Sequence, residues 1–228
     1  MTSPVSRNGA AVSASQLDAR LRAGLDAMGL SLEEEGVERL LAYLDLMGKW
    51  NRVYNLTAVR DPLEMLTHHV LDSLSAVQPL RRHLGQTQGQ TQLLDVGSGG
   101  GLPGVVFAVC QPDLRVDCVD AVGKKAAFVQ QVASALQLRN LRGLHARVEQ
   151  VREVYDVVSS RAFASLADFT AWSQQTVAPQ GVWLAMKGRR PDEEIAALPS
   201  TVEVFHVEPL QVPQLDAERC IVWMRKKS

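Results

Sequence analysis

The stretch from Leu93 to Gly104, LLDVGSGGGLPG, places an acid, Asp95, close to the end of an apolar run and follows it with five glycines. Residues 99–104 match the pattern G-x-G-x-x-G, in which glycines allow the backbone to approach a nucleotide cofactor at a strand-to-helix turn. This match alone does not separate a dinucleotide from another adenosine-containing cofactor. The surrounding sequence has to decide between them.

Short apolar runs alternate with helical segments around and after this stretch. Such alternation indicates a parallel sheet built of βαβ units with right-handed crossovers. The last two apolar runs leave no room for a helix between them, so we expect an antiparallel hairpin at the sheet edge. The predicted strands are 92–97, 115–120, 141–148, 155–160, 181–188, 201–210 and 220–226, and the helices start at Pro103 and span 123–138 and 166–177.

The segment before the stretch has helical periodicity. Apolar residues recur every three or four positions within 17–28, 37–47 and 63–74, which predicts three amphipathic helices. Ser31 and Glu34 form a capping-box pattern before the second helix, and Asp61-Pro62 marks the start of the third. We therefore predict a disordered tail (1–14), an N-terminal helical layer (15–90) and a Rossmann-like domain (91–228), with the boundary in the polar segment 81–92.

The composition is that of a globular protein, with 228 residues, 46% hydrophobic content and a net charge of −1. Because there is no global basic field, a nucleic-acid partner has to be held by a local patch. The three cysteines are far apart and show no C-x-x-C spacing, which indicates reduced thiols in a cytoplasmic protein. No window approaches roughly eighteen apolar residues, so we expect neither secretion nor a membrane span.

Two acids bear on the choice of cofactor. A nicotinamide dinucleotide brings a pyrophosphate to the helix N-terminus, and Asp95 just before the loop would repel it. S-adenosylmethionine carries no phosphate, and Asp95 is expected either to orient the loop or to face the cationic end of that cofactor. Asp120, which closes the next strand, is placed to accept hydrogen bonds from two ribose hydroxyl groups. By analogy of fold, the antiparallel last strand favours the class I methyltransferases over the dehydrogenases.

The glycines have a matching role in this interpretation. Gly97, Gly99 and Gly101 are expected to let the backbone lie against the methionine portion of S-adenosylmethionine, with Leu102 packing on it. The alternative is that the glycines simply make a tight strand-to-helix turn.

Several further motifs carry a resemblance to a known family. From about Leu40 to Lys226 their order and spacing resemble the RsmG (GidB) family of bacterial small-subunit ribosomal RNA methyltransferases. Ala121 departs from the serine that is commoner in the family, whereas Asp120 beside it is kept. The matching motifs are NLTAVRDP (55–62), HHVLDSL (68–74), LLDVGSGGGLPG (93–104), VDAVGKKAAF (119–128), VSSRAFASL (158–166) and MKG (186–188).

The resemblance implies an α/β fold of the class I S-adenosylmethionine-dependent type, with a seven-stranded Rossmann-like sheet whose last strand is antiparallel. It implies methyl transfer to N7 of a guanine, position 527 of 16S ribosomal RNA, with the small ribosomal subunit as the partner. Guanine N7 has a lone pair and no proton, so no general base is required. The fourth strand agrees, because it ends in SSRAF (159–163) and not in the Asn/Asp-Pro-Pro-aromatic run expected for an exocyclic amine.

Two other functions stay open from the sequence. A non-catalytic ribosome-binding or RNA-binding module with a methyltransferase-like fold would keep its basic residues and lose its cofactor contacts. An NAD-dependent dehydrogenase would need a hydride partner and a loop without Asp95. For the methyltransferase we expect a monomer without a metal ion.

Cationic side chains near strand ends are the candidates for substrate binding. Arg161 is expected to bind the substrate or to organise the cofactor pocket, the alternative being a surface salt bridge. Lys187, Arg189 and Arg190 follow the fifth strand and are candidates for holding RNA phosphates, and Lys187 is also a candidate for positioning the substrate. Asn55 is a further RNA-binding candidate, although alone it indicates a helix cap.

By the resemblance, Val148 and Glu149 lie beside the adenine, whereas from the sequence alone Glu149 is equally a solvated carboxylate at a helix start. His68 and His69 lack a partner at metal-ligand spacing, and one of them is expected to pack or to bond with Asp72. The complete set of candidate cofactor residues is Asp95, Gly97, Gly99, Gly101, Leu102, Asp120, Val148, Glu149 and Arg161.

Overall fold

The computed structural model describes residues 12–85 and 90–227. Most of the predicted tail lies outside these residues, but its last residue, Ala14, already opens the first helix, which Ser13 caps. Within the described ranges, no helix combines the length and apolar content needed to cross a membrane.

The N-terminal layer is helical, as predicted. The third helix is continuous through a π-helical turn, and a further helix follows it. The bounds are α1 Ala14–Ala27, α2 Glu34–Tyr54, α3 Pro62–Met65, the π-helical turn Leu66–Leu71, α4 Asp72–Leu74 and α5 Val77–Leu84.

Two details of the layer differ from the prediction. The capping box of Ser31 and Glu34 is wrong, because α2 begins at Glu34 after Glu33 and the Glu34 carboxylate accepts a hydrogen bond from Arg22 instead. The polar segment 81–92, in which we place the boundary, begins with the last turn of α5, where the Arg81 guanidinium donates to the carbonyl of Cys110 at 2.9 Å and holds the helix against the sheet domain. The Asp61 cap is confirmed, with its carboxylate accepting from the backbone of Leu63 and Glu64.

Seven strands form one sheet in the order β3-β2-β1-β4-β5-β7-β6. Strands β1 to β5 are parallel, and β7 runs antiparallel between β5 and β6, which confirms the predicted sheet and hairpin. The elements are β1 Gln92–Val96, α6 Gly104–Cys110, β2 Arg115–Asp120, α7 Gly123–Ala135, β3 Leu141–His145, β4 Tyr155–Arg161, α8 Leu166–Ser173, β5 Val177–Lys187, α9 Asp192–Ala196, β6 Val202–Leu210 and β7 Arg219–Lys226.

The helical layer shares a hydrophobic core with one face of the sheet domain. Apolar side chains of α1 and α2 pack with those of α6 and α7, and the Tyr43 and Phe128 rings stack 6.3 Å apart across this junction. The Tyr43 hydroxyl also donates to the carbonyl of Gly100 at 2.6 Å, in the glycine loop itself. The layer therefore supports the glycine loop through Tyr43.

Candidate active site

The glycine loop between β1 and α6 requires glycine for its backbone. Gly97, Gly99 and Gly101 have φ values of 64°, 57° and 86°, a region that side chains with a Cβ rarely adopt. A Cβ on Gly97 would also lie 2.0 Å from Cδ2 of Phe163, so this position excludes any larger residue on two grounds. The loop is tied to β2 because the Gly97 amide donates to the carbonyl of Val119 at 2.9 Å.

Asp95 orients this loop from beneath it. Its fully buried carboxylate accepts from the amide of Gly104 at 2.9 Å through Oδ2 and from the hydroxyl of Ser159 at 3.0 Å through Oδ1. Burial away from water raises the pKa of Asp95 to about 7, which the two hydrogen bonds only partly oppose. Of the two roles that the sequence left open, the geometry supports orientation of the loop. The carboxylate also occupies the start of α6, where a pyrophosphate would have to lie.

Asp120 joins the loop to the end of β2. Its Oδ2 accepts from the amide of Gly99 at 3.0 Å, and its Oδ1 accepts from the amide of Val122 at 2.8 Å. Each carboxylate oxygen has a second lone pair, so both can accept one more hydrogen bond. The Lys125 ammonium lies 3.9 Å from Oδ2 and forms an ion pair with this carboxylate.

A cleft of about 350 Å³ opens above this loop, a size within the usual range for small-ligand sites. Four predicted residues line it, namely Gly97, Asp120, Val148 and Glu149. The sequence interpretation did not assign the other residues of its wall to the cofactor, although Phe163, an aromatic residue two positions after the end of β4, would have been a usable indication. These other residues are Val96, Val119, Ala121, Lys125, Ala146, Arg147, Ala162, Phe163 and Trp172.

The other predicted cofactor residues lie away from the wall of this cleft. Gly99 and Gly101 shape the loop, and Leu102 is buried in the core with the side chains of α6. Leu102 therefore packs beneath the loop, because the turn directs its side chain toward the helical layer.

Arg161 is bound to the helical layer. Its Nη1 donates to the carboxylate of Asp72 at 2.7 Å and to the carbonyl of His68 at 2.8 Å. Arg219, at the start of β7, donates to the other oxygen of Asp72 at 2.7 Å. Asp72 is buried and both arginines are mostly buried, so this is an internal ion-pair cluster and not the surface salt bridge considered from the sequence.

His68 and His69 lie beside the Asp72 cluster, and the structure shows what they contact. Neither imidazole bonds to the Asp72 carboxylate; the Nε2 of His69 instead forms a 2.8 Å hydrogen bond with the hydroxyl of Thr57, and the Asp72 amide donates to the His69 carbonyl within the helix. Burial and the Arg161 charge lower the pKa of His69 to about 4, so this imidazole is neutral at pH 7. Asn55 has a φ of 50° and ends α2 as its C-cap, with its side-chain oxygen accepting from Arg60 at 3.0 Å.

The cations after β5 are partly engaged within the chain. The Lys187 ammonium donates to the carboxylate of Glu194 at 2.7 Å and to the carbonyl of Ala164 at 3.0 Å. Arg190 pairs with Asp192 at 2.6 Å on the surface, whereas Arg189 forms no ion pair within the ranges that the structure describes. Three acids of α9 thus accompany the basic residues. Across those same ranges, no group of three His, Cys, Asp or Glu side chains is arranged to hold a metal ion.

Comparisons with known proteins agree with this geometry. Residues 36–222 match the model of GidB, described as rRNA small subunit methyltransferase G. A relative from Polaromonas sp. (strain JS666 / ATCC BAA-500), named Ribosomal RNA small subunit methyltransferase G, is 67% identical and covers 91% of this chain and 93% of its own length. A relative of the same name from Paracidovorax citrulli (strain AAC00-1) is 64% identical, with 95% and 93% covered.

Solved structures show the same fold at much lower identity. TrmN from Thermus thermophilus superposes with a TM-score of 0.53 at 16% identity, covering 95% of this chain and 80% of its own. The glycopeptide N-methyltransferase MtfA, solved with S-adenosylmethionine, superposes with a TM-score of 0.54 at 10% identity, covering 67% of this chain and 87% of its own. These likenesses establish the class I methyltransferase fold.

Proposed function

The chain belongs to the GidB family of small-subunit ribosomal RNA methyltransferases, and we propose that it transfers the methyl group of S-adenosylmethionine to N7 of one guanine, position 527, of 16S ribosomal RNA. The observation that carries the proposal is the cleft above the glycine loop. There Gly97 and Asp120 lie at the carboxyl ends of neighbouring parallel strands, the place where ligands bind in open α/β sheets.

The residues of the cleft fit S-adenosylmethionine. Gly97 brings bare backbone to the floor of the cleft, and Asp120 presents a carboxylate that can accept hydrogen bonds from ribose hydroxyls. Val148 and Glu149 supply an apolar side chain and a second acid on the wall. We propose that these four residues bind the cofactor, while Asp95, Gly99, Gly101 and Leu102 shape the loop that carries them.

The chemistry of the substrate makes few demands on the chain. Bound S-adenosylmethionine supplies a methyl group activated by the positive sulfonium. Guanine N7 offers an in-plane lone pair and carries no proton, so the protein has to align the base and need not deprotonate it. The three cysteines are buried in the structure, and we assign none of them as a nucleophile.

The substrate side of the site is proposed to lie at the ends of β4 and β5. Arg161 and Lys187 place two cations there, and both are held in position by carboxylates, so we assign them to organising this side of the site. Arg189 and Arg190 extend into solvent and are the better candidates for RNA phosphates. Asn55 acts in the described structure as a helix cap, and its contact with RNA remains a proposal.

Neither rival function has comparable support. A dehydrogenase would place a pyrophosphate at the start of α6, where the Asp95 carboxylate already accepts the Gly104 amide. A non-catalytic module would have no use for the cleft, yet Gly97 and Asp120 keep the geometry that a cofactor requires. We further propose that the chain acts as a monomer in the cytoplasm, where ribosomal subunits are assembled.

The test is methyl transfer from labelled S-adenosylmethionine to small subunits isolated from cells that lack this protein, followed by mapping of the modified nucleotide. We expect label on N7 of guanine 527, lost with Gly97→Val and retained with Gly48→Ala, a helix glycine whose added Cβ would meet no atom within 4 Å. Label on an exocyclic amine or on another RNA would contradict the N7 assignment. Absence of both label and cofactor binding would overturn the enzymatic function.

A further inference from the structure

We infer that Trp172 is the aromatic residue against which the cofactor's adenine packs, with Phe163 holding it in place. The inference rests on the proposed function, because it assigns a residue to the S-adenosylmethionine site. Trp172 was absent from the candidate residues of the sequence, and it enters through its position in the cleft wall.

Trp172 differs from the other tryptophans in its exposure. Trp183 and Trp223 are 1% and 3% exposed, and Trp50 packs against the core. Trp172 remains 42% exposed, although a large aromatic ring gains free energy from burial. Part of its surface faces the cleft, which an aromatic ligand would cover.

The ring is fixed by its aromatic neighbours. Phe163 meets Trp172 edge to face, with centroids 5.8 Å apart and planes at 79°, and meets Phe169 in the same way at 6.3 Å and 82°. Phe169 is buried, so the set is anchored in the core. Phe163 in turn lies directly over Gly97, which connects the aromatic set to the glycine loop.

The cleft is also lined by the segment that carries Val148 and Glu149. Helix α8 contacts this segment, and the Gln175 side chain, just after α8, donates to the carbonyl of Val148 at 3.4 Å. The aromatic ring and the valine therefore line the same cleft. A flat purine can pack its π face on this ring, and Asp120 at the loop end accommodates the attached ribose.

The experiment titrates S-adenosylhomocysteine into the wild-type chain and three variants by calorimetry. Removing an aromatic partner from a stacked base weakens binding about 10-fold or more, so we expect this loss for Trp172→Ala and a change within about 2-fold for Trp172→Phe. Phe205→Ala is the matched control, because Phe205 is 39% exposed on β6 and lies outside the cleft wall. It should bind as the wild type does.

Tryptophan fluorescence gives a second readout that does not require Trp172→Ala to fold. We expect S-adenosylhomocysteine to change the emission of the wild type and to leave that of Trp172→Phe nearly constant. Two results would overturn the inference and leave the proposed function standing. One is equal affinity of the wild type and a folded Trp172→Ala, and the other is a change in the emission of Trp172→Phe as large as that of the wild type. Failure of the wild type to bind S-adenosylhomocysteine would overturn both.

Discussion

At the carboxyl edge of the sheet, the side formed by β1 and β2 is built from backbone and buried carboxylates, whereas the side formed by β4 and β5 is built from long cationic side chains. On the first side, Asp95 and Asp120 accept hydrogen bonds from amides of the glycine loop and leave an open cleft. On the second, Arg161 and Lys187 are bound by Asp72 and Glu194.

The difference separates two tasks. The first side offers a preorganised backbone to a cofactor, because glycine loops and strand ends keep their geometry without side-chain motion. The cations of the other side connect elements that are far apart in the chain, since Asp72 of the helical layer pairs with Arg161 of β4 and Arg219 of β7. We infer that the β4–β5 side fixes the helical layer to the sheet, beside the place where we propose that RNA approaches.

The largest effect should come from Gly97, where the β1–β2 side has no room for a side chain. Gly97→Val combines a positive φ with a clash against Phe163, and we expect it to cost between about 2 and 6 kcal/mol of stability and to abolish cofactor binding. Gly99→Ala has a φ of 57° but open space, so it should show only the conformational part of the cost. Urea unfolding and calorimetry check the order; equal losses at the two positions would contradict the packing argument.

The next effect concerns the buried carboxylate of Asp95. Because its pKa is raised from 3.8 to about 7 in the folded chain, the folded state binds the extra proton and stability falls as pH rises from about 4 to about 7. Asp95→Asn lacks this ionisation, so the difference in unfolding free energy between variant and wild type should shift in favour of the variant by up to about 4 kcal/mol over that window. Parallel pH profiles of the two proteins would show that Asp95 ionises normally.

Removing Asp72 tests the second side directly. Asp72→Ala leaves Arg161 and Arg219 largely buried without their shared carboxylate, and we expect a loss of about 3 kcal/mol. Asp72→Asn keeps the shape and one carbonyl oxygen and should lose less. If Asp72→Ala unfolds at the same urea concentration as the wild type, the cluster does not hold the helical layer to the sheet.

The smallest effect is expected at Arg190. Its ion pair with Asp192 is mostly exposed, so Arg190→Ala should change stability by less than about 0.5 kcal/mol. If Arg190 contacts one RNA phosphate, the same variant should weaken binding to small-subunit RNA and lower the salt dependence by about one charge. Filter binding at several salt concentrations measures this, and an unchanged salt dependence would remove Arg190 from the RNA surface.

The sequence predicted the features that depend on local backbone chemistry. The sheet, the Asp61 cap and the positions of Gly97 and Asp120 follow from spacing along the chain, and the structure places these two residues at the cleft. Glycine is the default residue where the chain needs a positive φ, which is why a glycine-rich turn can be identified without a structure.

The partners of long side chains could not be predicted in the same way. Arg161 bonds to Asp72, which is 89 positions away in the chain, and Arg81 bonds to the carbonyl of Cys110, which is 29 positions away. The capping box at Ser31 failed for the same reason, since Glu34 bonds to Arg22 of the preceding helix. Such contacts depend on how the elements pack, and the local pattern does not contain that information.

The most direct test of the account is a crystal structure of the chain with S-adenosylhomocysteine. We expect the ligand in the cleft above Gly97, with its ribose hydroxyls on Asp120 and its adenine packed against Trp172. The chain also has a larger cavity of about 890 Å³ between α1, α5 and the segment that links β6 to β7, which none of the proposed cofactor residues lines. Ligand in that cavity, with the cleft above Gly97 empty, would contradict the assignment of the active site.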